Sequence, residues 1–125
     1  MGMWSFAPWG NDDAADWYGY FMEKTALREA WLEGISEDPS ELPEIVRAAA
    51  AIFVMLGHVY IWPIEKYDAD LEMTIASLSQ VAECYKDEGL SDLVEIINQD
   101  IEGLELRRTP IKTTIESLND QVRPR

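Results

Sequence analysis

The chain of 125 residues holds one cysteine and one histidine, so it is nearly empty of the side chains most often recruited to metals and nucleophilic catalysis. A lone Cys84 cannot close an internal disulfide, and no Cys/His set has the spacing of a zinc site. There is no glycine-rich phosphate loop and no Gly-x-Ser-x-Gly elbow. Positive charge is scarce as well: ten Lys and Arg stand against 24 Asp and Glu, a net charge of -14. An excess of that size repels phosphate backbones and disfavours nucleic-acid partners. It favours steering toward basic proteins. The longest apolar run, Ala48 to Trp62, is broken only by Gly57 and His58 and stops at Pro63. That falls short of the roughly 18 residues a membrane span requires, so no membrane association is expected. Without a charged-then-apolar leader, the chain reads as a cytoplasmic protein in a reducing interior.

What is present points to one helical domain over residues 1–125. Hydrophobic residues make up 47% of the chain and five are Trp, enough to enclose a core without staples. Residues 1–10, MGMWSFAPWG, form an irregular aromatic arm with Trp4, Phe6 and Trp9 expected to fold back onto the bundle. Asn11 or Asp12 caps a first helix with the stripe Ala14, Trp17, Tyr18, Phe21 and Met22. Thr25 caps a short second helix carrying Leu27, Ala30, Trp31 and Ile35 on one side. The run from Ala48 is apolar all round, which predicts a buried central helix entered near Pro43 and stopped by Pro63. Ile64 to Tyr67 read as a loop. Leu71, Ile75, Leu78, Ala82 and Tyr85 share a face of the next helix, closed by Gly89. Leu93, Ile97, Ile101 and Leu104 share a face of another. A last helix after Pro110 would bury Ile111, Ile115, Leu118 and Val122. The fold class is therefore all-α, a single bundle of about five or six helices.

The opening residues carry a resemblance. Met1-Gly2-x-Trp4, followed by Asn11-Asp12-Asp13-Ala14-x-Asp16-Trp17, resembles the start of the bacterial domain-of-unknown-function family 4259. Members typically begin Met-Gly-x-Trp-Gly and continue Asn-Asp-x-Ala-x-Asp-Trp. Here Ser5 and Ala7 replace frequent glycines, and Trp9 and Gly10 stand where phenylalanine and an acid are usual. The motif covers about seventeen residues and implies a bacterial, cytosolic, helical protein. It carries no catalytic residue across. Trp4, Trp9, Asn11, Asp12, Asp16 and Trp17 are expected to form a structural N-terminal motif.

Within that motif one local rule is broken. Asp12 and Asp16 stand at i and i+4, where like charges cost roughly 0.2–0.5 kcal/mol on a helix surface. Donors from the arm or a Trp indole would relieve Asp16 and pin the arm. Alternatively, Asp12 and Asp16 would give oxygen ligands to a divalent metal in a metal-dependent enzyme. His58 reads as a helix-end residue bonded to a carbonyl rather than a general base. Cys84, beside Glu83, has acid rather than base next to it and reads as inert. The acidic stretch Glu29, Glu33, Glu37, Asp38, Glu41 and Glu44 surrounds Trp31 and is the candidate partner surface, with Trp31 as an interface anchor or as core. These features favour a non-enzymatic acidic binding module, immunity- or adaptor-like, that takes a basic protein partner and needs no cofactor.

Overall fold

Residues 7–108 are described by a computed structural model. Five α-helices pack together and no strand is present among them: α1 (Asp12–Lys24), α2 (Leu27–Ile35), α3 (Pro43–Leu56), α4 (Ile64–Asp87) and α5 (Ser91–Glu105). The all-α expectation holds. Trp4, Phe6 and the last predicted helix lie outside the described residues.

The Asn11 side chain accepts from the Ala14 amide at 2.9 Å, fixing the start of α1. Thr25 does not cap α2. Its hydroxyl donates back to the Phe21 carbonyl at 2.9 Å, ending α1 instead. Pro43 supplies the first turn of α3, where a missing N–H costs nothing. At Gly57 an added Cβ would stand 2.5 Å from the Phe53 ring and the Phe53 carbonyl oxygen, so only glycine allows the chain to leave the helix there. The apolar run is therefore split. Residues 57–63 leave the helix and return Ile61 and Trp62 to the core. Ile64 to Tyr67, read as a loop, are the first turn of α4. Gly89, at φ +78°, closes α4: Gly89 N–H donates to the Lys86 carbonyl and Leu90 N–H to the Tyr85 carbonyl.

The centre belongs to α4 rather than to the apolar run. Ten α4 residues are buried, against five on α3, and α4 packs against α2, α3 and α5. On α3, Ala48, Ala51 and Met55 face solvent, so this helix is not covered all round. Between the helices lies an aromatic cluster. The Trp62 ring meets Phe53 at 5.0 Å and Trp31 at 5.1 Å, both edge-to-face. Such pairs add about 0.5–1.5 kcal/mol each beyond the area they bury.

Candidate functional site

α4 carries one acid on its buried face. Asp70 is 1% exposed and occupies helical spacing with Tyr67 and Thr74. Its charge is matched by Arg28 of α2: Nε donates to Oδ2 at 2.8 Å and Nη2 to Oδ1 at 3.0 Å. The Trp62 indole N–H adds a third donor at 2.7 Å. Arg28's own hydrogen bonding to Asp70 holds its guanidinium above the ordinary value, against the burial that pulls it down. A planar guanidinium meeting a carboxylate through two parallel bonds is the geometry that arginine alone supplies. Residues from α2, α4 and the 57–63 connection are thereby locked together.

Above this pair lies a cleft of about 880 Å³ between α1 and the 57–63 connection. One wall is α1, where Ala15 and Gly19 supply little bulk and Met22 is buried. The other wall is apolar: Val59, Ile61, Trp62 and Ile64. Carboxylates from three helices complete the lining, namely Asp16 and Glu23 on α1, Glu29 on α2 and Glu65 on α4. The cations there are Arg28, committed to Asp70, and Lys66.

The predicted motif residues separate in space. Trp9 stacks on His58 with centroids 4.2 Å apart and planes 20° from parallel. Asn11 is the helix cap, Asp12 is half-buried, and Trp17 is 54% exposed beside Tyr18 and Phe21. Asp16 is exposed, and among the described residues no hydrogen bond or ion pair to it is present. Of the arm, Trp9 is placed by its stack on His58. The metal alternative for Asp12 and Asp16 finds no support in the geometry: among the described residues no three Asp, Glu, His or Cys converge.

His58 follows the end of α3, where Arg107 reaches back from beyond α5. Its guanidinium donates to the carbonyls of Phe53 (3.3 Å), Val54 (2.8 Å) and Gly57 (3.1 Å). The Phe53 carbonyl also accepts from the Gly57 N–H at 2.7 Å; the guanidinium adds a charged donor at the end of α3, where carbonyls run out of intrahelical partners. Burial, and then the Arg107 charge, push the His58 imidazole below its ordinary value; the Met55 backbone opposes them. His58 is thus a positioned helix-end residue. Cys84 is half-buried.

On the acidic stretch, Trp31 is core: 4% exposed, with its indole N–H donating to the Ala49 carbonyl at 2.9 Å. It is not an interface anchor. Glu29, Glu33, Glu37, Asp38, Glu41 and Glu44 are all exposed, and among the described residues none takes part in an ion pair. Asp38 accepts from the Ser40 hydroxyl at 2.7 Å and amide at 2.9 Å, which lowers its pKa.

Sequence reasoning missed the cleft and its floor. One signal was available: Asp70 interrupts an apolar stripe, and a buried acid demands a cation. Which cation was not legible, because Arg28 lies 42 residues away. No family model, curated protein or solved structure matches this chain.

Proposed function

We propose that this protein is a non-enzymatic acidic binding module, immunity- or adaptor-like, which docks on a basic protein partner in a bacterial cytoplasm. The observation that carries the reading is the row of exposed carboxylates from Glu29 to Glu44, none of them in an ion pair among the described residues. Unpaired surface charge of one sign contributes little to folding, and self-repulsion works against the compact state. Its benefit lies in association, where complementary charge raises on-rates and excludes wrong partners. The opening motif's likeness to family 4259 supports the bacterial setting and nothing chemical. Among the described residues no helix is long and apolar enough to cross a membrane.

The test is capture from native bacterial lysate on the immobilised chain at low and high salt. A basic protein should be retained at low salt and released as salt screens the charges. The triple variant Glu33→Gln, Glu37→Gln, Glu41→Gln should weaken retention while melting like the parent. Retention that ignores both salt and the variant would defeat the reading.

A further inference from the structure

Having an acidic exterior does not say where a partner seats. Five of the large apolar side chains left exposed lie on α1 and the segment that follows His58: Trp17, Tyr20, Val59, Tyr60 and Ile64. Three of them, Val59, Tyr60 and the 62%-exposed Ile64, line the cleft. The opposing wall is left low by Gly19, in the middle of α1: a Cβ there would meet nothing within 4 Å. A helix-interior glycine is less favourable than alanine, because its backbone has more freedom to lose. No neighbouring atom of the described residues requires it sterically. It keeps room in a trough floored by Trp62 and Met22.

The polar lining has a consistent sign. Among the described residues Asp16, Glu23, Glu29 and Glu65 have no ion-pair partner, Arg28 has its charge matched by Asp70, and Lys66 is the one uncompensated cation in the lining. From this we infer that the cleft between α1 and the 57–63 connection is the docking site for a basic amphipathic helix of the partner. Its apolar face enters the trough over Ile61, Trp62 and Ile64, and its Lys or Arg side chains meet the four carboxylates. A helix presents those two features on neighbouring faces, and its diameter of about 10 Å fills an open trough rather than a closed pocket. This rests on the proposed basic partner; the carboxylates from Glu33 to Glu44 that carry that proposal lie outside the cleft lining.

The probe is a fluorescently labelled amphipathic helix of leucine and lysine, titrated by anisotropy. Two controls replace its lysines with glutamate or its leucines with serine. The leucine–lysine peptide should bind saturably and shift the amide resonances of Gly19 and Ile64 and the Trp62 indole. Gly19→Leu should weaken binding at least tenfold and not lower the melting temperature, since it fills the trough without a clash. Glu33→Gln with Glu37→Gln and Glu41→Gln should leave the Gly19 and Ile64 shifts in place. Equal binding by the lysine–serine peptide, no binding, or indifference to Gly19→Leu would overturn the cleft. Shifts confined to Glu33–Glu41 would also overturn it, while leaving the basic-partner reading standing. Salt-insensitive lysate capture would defeat that reading instead.

Discussion

α1 and α4 are both helices with a clear apolar stripe, yet they end in opposite situations. On α1 the stripe Ala14, Trp17, Tyr18, Phe21, Met22 leaves only Met22 buried, and Trp17 and Tyr20 stand mostly in solvent. α4 carries Asp70, Thr74 and Ser77 on the face it buries, and ten of its residues are enclosed. Its polar groups are satisfied: Asp70 by Arg28 and Trp62, and Thr74 by donating its hydroxyl to the Asp70 carbonyl at 2.7 Å. Periodicity therefore names a face, whereas burial depends on whether other elements arrive to cover it. In this molecule the most aromatic face is among the least covered, and the most polar buried face is the centre.

The sharpest way to break this contrast is at the pair that lets α4 bury an acid. Asp70→Ala leaves the mostly buried Arg28 guanidinium and the Trp62 indole without their acceptor. The expected loss is about 3–5 kcal/mol by urea denaturation. Replacing the pair with apolar residues, Arg28→Met with Asp70→Leu, should recover most of it, because no charge is then left unpaired. If Asp70→Ala costs less than about 1 kcal/mol, the pair does not hold α2 to α4.

Matched aromatic truncations sharpen the same comparison. Phe53→Ala removes a fully buried ring in contact with Trp31, Trp62 and Tyr67, at an expected cost of about 3–5 kcal/mol. Trp17→Ala on α1 should cost about 1 kcal/mol or less, since over half of that side chain is already in water. Equal losses in the two variants would mean that α1 is as firmly docked as the core.

A smaller effect is expected at the end of α3. Arg107→Ala strips one charged donor from three carbonyls, which corresponds to about 1.5–3 kcal/mol. Amide exchange in the last turn of α3 should rise with it. Unchanged exchange there would show that water replaces the guanidinium without loss.

The mildest perturbation is pH. His58 is held below its ordinary value by burial and by Arg107, so the unfolded chain takes up a proton at higher pH than the folded one. Stability contributed by neutral His58 is complete above the unfolded value of about 6.5 and is lost as pH falls from there toward the lowered folded value. His58→Gln should flatten that part of the pH–stability curve. A wild-type curve that rises as pH falls through this window would reverse the assignment.

The helical character of this chain was legible because apolar spacing near 3.6 residues recurs along it, and because Asn11, Pro43 and Gly89 mark helix ends by local chemistry. A cap needs only a side chain within hydrogen-bond reach of its own helix. The unpaired acidity of Glu29 to Glu44 was equally plain, since exposed charges keep the character their composition assigns. Three outcomes required the tertiary structure. Trp31 became core because α3 offered the Ala49 carbonyl to its indole. The Ala48–Trp62 run lost the centre because it leaves the helix at Gly57, where Phe53 leaves no room for a Cβ, and because Ala48, Ala51 and Met55 face solvent. The cleft brings carboxylates of three helices beside apolar side chains of the 57–63 connection, and Arg28 in its lining meets Asp70 across 42 residues. Local chemistry acts over a turn or two of helix and is written in neighbouring residues. Pairing between distant elements depends on which faces meet, and no short stretch of sequence carries that.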